Sequence, residues 1–339
     1  MVRAVVVDAL ILIFGPGGAR IDSIGRAGEG PGEFRALTLG GFRGKDLWVS
    51  DPILRRTSFF NAQGQFIGSM RWPSQLGEGK DAVAPMFGVQ PHALHATGSE
   101  FTVVGVPPRI PMPSWWPWPD QRTGLILADS VGRLRRTIMA LPDPIPDRCF
   151  VRYVAARTGP GVLRAPFCFE GMTAVASDGS RVATVTFNPS DASGAAMRLR
   201  VALASGVVDV DRALALEPVR IPRAAADSAR AVFLRDPGPY GIQPEKRAAV
   251  RDLRVPEFFP PISDLVVGND GTLWLGRWPV GRTRSWLVLD KRGNLRGRVE
   301  LPATLRVHAA STSQVWGTQP DRDGIPSIVR YRVVGAPPR

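Results

Sequence analysis

Residues 24–34 read IGRAGEGPGEF. Glycines at Gly25, Gly28, Gly30 and Gly32 suit either a phosphate-cradling loop or a sharp change of chain direction. A phosphate loop follows its glycines with Lys and Ser or Thr, and opens a helix. Here the chain continues as RALTLGGF (35–42), a strand pattern, and Pro31 removes a backbone donor where an anion would need one. No βαβ unit surrounds the stretch, so the dinucleotide fingerprint fails as well. The loop is read as a corner joining a strand at Arg20–Ile24 to a strand at Leu37–Phe42.

Working outward, the chain repeats itself. IFGPGGARI (13–21), FFNAQGQFI (59–67), LADSVGRLR (127–135) and VLDKRGNLR (288–296) share one hairpin pattern. In three of them Asn61, Asp129 and Asp290 lead to Gly64, Gly132 and Gly293; Gly15 and Gly18 fill the same places in the fourth. Asp or Asn accepts backbone hydrogen bonds where the turn begins, and Gly takes the left-handed conformation where it ends. Ahead of the hairpins, KDLWVSD (45–51), GTLWLGR (271–277) and SQVWGTQ (313–319) centre a short strand on Trp48, Trp274 and Trp316. SEFTVVG (99–105) and SRVATVT (180–186) fill that slot without tryptophan. Before these come ALTLGGF (36–42), MFGVQPHAL (86–94), GMTAVAS (171–177), ISDLVVG (262–268) and LRVHAAS (305–311).

The unit is a four-stranded meander of roughly 40 to 45 residues, the size of a propeller blade. The expected fold is an all-β, six-bladed β-propeller of four-stranded antiparallel blades in a single domain, 1–339. Blades start near 36, 86, 171, 262 and 305, and N-terminal strands at 4–24 complete a sixth. Strands from the two termini are expected to close the seam. One short helical insertion, within 212–257, is expected from PRAAADSARAVFL (222–234), with Pro222 placed to open a helix.

Composition agrees with many turns. Glycine numbers 36 and proline 32, and the 44% apolar content is ample for a core. No apolar run is long enough to span a membrane. The net charge of +13 raises a polyanion partner, yet the arginines are scattered, so nucleic acid is not favoured. The opening MVRAVVVDALILIFGPGG reads as two short strands and not a signal peptide, because Asp8 interrupts its apolar run. Cys149 and Cys168, the only cysteines, are either one disulfide in an exported protein or two buried thiols.

IGRAGEGPGEF, LWVSD and FFNAQGQFI together, with FPPISDLVVGNDGTLWLGR (259–277) later, resemble the NHL-type six-bladed propellers, and more closely bacterial propellers with a GxGPGEF loop. The resemblance implies a propeller fold and an exported, periplasmic or lipid-anchored setting. It also brings two enzymes into view, a zinc-dependent lyase and a calcium-dependent lactonase.

Three histidines occur, His92, His95 and His308. His92 and His308 fall on inner strands of blades that face each other across a six-bladed ring, which makes them weak metal candidates. A catalytic zinc wants a third protein ligand. Glu33, Asp178, Asn188, Asp264 and Asn269 are the residue types a calcium site would draw on. No nucleophile elbow is present. The richest surface feature is PPRIPMPSWWPWPDQR (107–122): Trp115, Trp116 and Trp118, stiffened by prolines and flanked by Arg109 and Arg122. The alternative is that this loop buries its own tryptophans. The expected function is a non-enzymatic, monomeric binding or scaffolding module for a protein, peptide or carbohydrate, with no cofactor. The alternative is a metal-dependent hydrolase or lyase with its site in the channel.

Overall fold

In the computed structural model, the described residues are 3–7, 9–15, 20–77, 82, 91–94, 101–105, 124–141, 149–168, 171–187, 196–235 and 241–334. They form an all-β, propeller-like arrangement with two helices. Four sheets are complete four-stranded meanders. The first contains β4 (Leu39–Arg43), β5 (Asp46–Asp51), β6 (Arg56–Phe60) and β7 (Phe66–Arg71). The second contains β8 (Pro91–Leu94), β9 (Phe101–Gly105), β10 (Gly124–Ala128) and β11 (Leu134–Ala140). The third contains β14 (Gly171–Val175), β15 (Arg181–Phe187), β16 (Ala196–Leu203) and β17 (Val208–Ala215). The fourth contains β18 (Asp264–Val267), β19 (Leu273–Gly276), β20 (Thr283–Leu289) and β21 (Leu295–Pro302).

A three-stranded sheet stands at either end of the chain. β1 (Arg3–Val7), β2 (Leu10–Phe14) and β3 (Arg20–Ile24) form one; β22 (Arg306–Ala310), β23 (Gln314–Pro320) and β24 (Pro326–Arg332) form the other. These remain separate sheets among the described residues, so the expected seam of shared terminal strands is not formed there.

Successive sheets stack face to face because the central strands, such as β5, β10, β15 and β19, are buried along most of their length. Leu199 and Val201 of one sheet meet Leu273, Leu275 and Leu287 of the next. Trp274, Trp286 and Val288, with Leu301 of the same sheet, meet Leu305 and Val315 in the following layer. The first strands lie side by side, β4 against β8, β14 against β18 and β18 against β22, as they would around an axis. Trp48, Trp274 and Trp316 are all buried in the second strands of their sheets.

The hairpin turns have the expected chemistry. Gly64, Gly132 and Gly293 have positive φ and donate to the carbonyls of Asn61, Asp129 and Asp290. In each turn the leading side chain accepts two further backbone N–H groups through Oδ1. Asp321 and Gly324 repeat the device between β23 and β24, a turn the repeat pattern had not included.

The loop at 24–34 does turn a corner, between β3 and β4. Several of its backbone donors are consumed internally: Gly28 donates to Phe34 O, Phe34 to Arg26 O, Glu33 to Gly30 O, and Gly30 to Glu33 Oε2 at 2.8 Å. The N–H groups of Arg35 and Ala36 go to Asp51 Oδ2. Arg56 donates to the carbonyls of Glu29, Gly30 and Glu33 at 2.9, 2.6 and 2.8 Å. A phosphate would find these donors occupied.

Two expectations need correction. The insertion begins later than 212, because β17 continues to Ala215. It also holds two helices, α1 (Arg223–Val232) and α2 (Pro244–Asp252), not one. Pro244 at the first helical position and Glu245 in the first turn were the available start signals for α2. A hairpin not expected at all, β12 (Phe150–Ala155) with β13 (Gly159–Arg164), joins α2 in a satellite core. Leu163, Ala249, Val250 and Leu253 are buried there together, and the Cys149–Cys168 disulfide closes the base of the hairpin. Beside it Phe167 meets Phe259 and Trp278 edge-on, at 5.0 and 5.2 Å, and those two rings stack at 4.6 Å.

Candidate ligand site between the inner strands

The inner strands β14, β18 and β22 enclose a cavity of about 420 Å³, a size suited to a small ligand. Ala174, Val266 and Ala310 lie on its wall, and polar residues collect at its two ends. Asp264 and Arg306 open β18 and β22, making one end charged. Ser177, Asn269 and Ser311 follow the ends of β14, β18 and β22, and with Gln314 make the other end neutral.

The two charges are differently placed. The Asp264 carboxylate is paired with the Arg284 guanidinium and accepts the Ser263 hydroxyl. Among the described residues, no acid or carbonyl engages the Arg306 side chain, and it is exposed. At the neutral end, the Ser177 hydroxyl donates to Asn269 Oδ1 at 2.7 Å. That leaves the Asn269 amide nitrogen and the Gln314 amide without protein partners among the described residues.

His308 lines the same cavity, and its Nε2 lies 2.9 Å from Thr318 Oγ1 on β23. The register of β22 explains its position. Val307 pairs with Gly317 and Ala309 with Trp316, so His308 is the extra residue of a bulge. β8 repeats this: Pro91 pairs with Val103 and Ala93 with Thr102, leaving His92 as the extra residue. The sequence signal was the shared His-Ala pair in PHAL and VHAA. The His92 side chain and all of His95 lie outside the described residues.

The structure brings Asp264, Asn269 and His308 to one cavity. It does not bring Glu33 or Asp178 there. Glu33 is held in the corner loop by the Gly30 N–H and by Arg26 at 2.6 Å, and these two contacts keep its carboxyl below the ordinary range. Asp178 accepts the Ser180 N–H and hydroxyl in its own turn. Asn188 lies outside the described residues, as do Arg109, Trp115, Trp116, Trp118 and Arg122. Among the described residues, no three His, Cys, Asp or Glu side chains converge as a metal site. Arg306, Gln314 and Ser311 were not singled out from the sequence, since single polar residues in short strands carry no local signature.

No protein-family model matches the chain, and no curated protein is similar to it. Solved structures do align along it. BF0058 of Bacteroides fragilis NCTC 9343, a protein predicted to be exported, has 12% identity and a TM-score of 0.46 over 97% of this chain and 86% of its own. A member of the DUF4221 family from Bacteroides vulgatus has 11% identity and a TM-score of 0.44 over 96% of this chain and 86% of its own. AztD of Citrobacter koseri, in its apo form, has 8% identity and a TM-score of 0.35 over 98% of this chain and 97% of its own. No helix among the described residues is long and apolar enough to cross a membrane.

Proposed function

We propose that the chain is a single-domain, six-bladed propeller of the NHL-like type, monomeric, that acts as a binding module without catalysis. The count of six is supported by the four complete meanders together with the two three-stranded sheets. The ligand is a carbohydrate or a peptide segment held between the inner strands. One observation carries this reading: a cavity lined by uncommitted hydrogen-bonding side chains and aliphatic walls. The Trp115–Trp118 loop, with Arg109 and Arg122, is a second surface for the same partner. An exported setting is supported by the Cys149–Cys168 disulfide, since such bonds persist in oxidising compartments.

Isothermal titration of the purified chain against neutral and acidic oligosaccharides and short peptides tests the proposal. Saturable binding that weakens at least tenfold in Asn269→Ala supports it. Binding indifferent to every cavity substitution, or turnover of any bound compound, overturns it.

The matched bulges at His92 and His308 favour a second reading, a metal-dependent hydrolase or lyase. In a six-bladed ring the sheets holding them stand opposite one another. Elemental analysis separates the two readings: a stoichiometric metal lost in His308→Ala favours the enzyme.

A further inference from the structure

We propose that the inner-strand cavity takes a small organic carboxylate, a sugar acid or a free peptide carboxy terminus, with Arg306 as its charge partner. The proposal rests on the binding-module reading and names the ligand chemistry for it.

The argument is one of matching charges. Two charged side chains line the cavity, Asp264 and Arg306. Asp264 is ion-paired with Arg284, at side-chain exposures of 42% and 18%, so its charge is balanced within the fold. Arg306 has no such partner among the described residues. The uncommitted charge of the cavity is therefore positive. A guanidinium offers two parallel N–H donors that fit a carboxylate in bidentate fashion, more tightly than they fit a neutral hydroxyl. The walls on either side are Val307, Ala309, Leu265 and Val266, and because the Arg306 side chain is exposed the attraction acts close to solvent and is sensitive to salt. The overall charge of +13 adds long-range steering of anions toward any such cleft.

The neutral end sets the rest of the ligand. From Arg306 to Ala310 the strand rises about 13 Å at roughly 3.3 Å per residue. At that distance the free Asn269 amide nitrogen and the Gln314 amide offer donors and an acceptor. A molecule with a carboxylate at one end and hydroxyl or amide groups along its length satisfies both ends. A wholly apolar ligand satisfies neither.

The test uses matched pairs in isothermal titration with the full chain at neutral pH: digalacturonate against the neutral galactose disaccharide, and triglycine against triglycine amide. The acid of at least one pair is expected to bind tenfold or more tightly than its neutral partner. That gap is expected to close in Arg306→Gln, with the thermal melting midpoint unchanged. Raising the salt should narrow the gap in the native chain and leave the variant unaffected. The pair that responds identifies the source of the carboxylate. Acids and neutral partners binding within twofold of each other overturn the inference, as does a gap that persists in Arg306→Gln. If neither pair binds but neutral oligosaccharides do, the charge assignment falls and the binding module stands. If nothing binds saturably, both fall.

Discussion

Asp270 Oδ2 accepts the backbone N–H of Thr312 at 2.7 Å, tying the β18–β19 turn of one sheet to the β22–β23 turn of the next. Its other oxygen accepts the Thr272 N–H at 3.1 Å and the Thr272 hydroxyl at 2.6 Å. One turn earlier, Ser177 and Asn269 make the equivalent link between β14–β15 and β18–β19. Three consecutive sheets are thus stitched at the same end of their inner strands.

This stitch gives a pH dependence. Burial pushes the Asp270 carboxyl up, but the hydrogen bonds from Thr272 and Thr312 outweigh it and hold the group below its ordinary range. A carboxylate with a lowered folded-state value adds stability above its unfolded value and loses it as pH falls through the folded one. Asp270→Asn should therefore cost about 1 kcal/mol at neutral pH and much less in strong acid. Urea unfolding at both pH values checks this, and equal losses would contradict it.

Asp51 anchors the corner loop. It is fully buried, and its oxygens accept the N–H groups of Arg35 at 2.7 Å, Ala36 at 3.3 Å, and Ile53 and Leu54 at 3.0 Å each. Asp51→Ala strands these donors and should lower stability by about 3 kcal/mol. Asp51→Asn keeps one carbonyl oxygen and should lose less. Chemical denaturation of both variants measures the difference.

Gly25 and Gly44 both have positive φ, at 90° and 62°, yet their surroundings differ. A Cβ at Gly25 would lie 2.5 Å from the Phe34 ring, which is fully buried, whereas a Cβ at Gly44 meets nothing within 4 Å. Gly44→Ala should cost about 1 kcal/mol from backbone strain alone. Gly25→Ala should cost clearly more, because the ring has nowhere to retreat. Paired thermal melts decide between strain and crowding.

The Cys149–Cys168 bridge closes a loop with a sequence separation of 19. A loop of that length predicts about 3 kcal/mol of stabilisation from the entropy of the unfolded chain. Reduction, or the Cys149→Ser, Cys168→Ser double variant, should loosen the satellite of β12, β13 and α2 before the stacked sheets. Hydrogen exchange resolved by segment reads this directly: protection should fall around Leu163 and Val250 and persist around Leu199 and Leu275.

The strand-and-turn rhythm was legible in the sequence because it is local. Asn61 with Gly64, Asp129 with Gly132 and Asp290 with Gly293 form their turns from residues within reach of one another. The strands between them need only apolar residues on both faces. The corner loop was legible for the same reason, since its glycines and Pro31 speak to backbone geometry. Helix α2 was less so: at nine residues with two buried, it is held mainly by packing against β12.

The tertiary structure alone decided which distant polar groups meet. Ser177 and Asn269 are 92 positions apart, and no pattern in either neighbourhood announces the other. Whether Cys149 and Cys168 pair depended on a hairpin that sequence periodicity had not revealed. That Arg284 neutralises Asp264 is decided by the pairing of strands within one sheet, and Arg306 of the next sheet stays uncommitted. Turns are written in single stretches of chain, whereas a site between blades is assembled from strands that become neighbours only when the sheets stack.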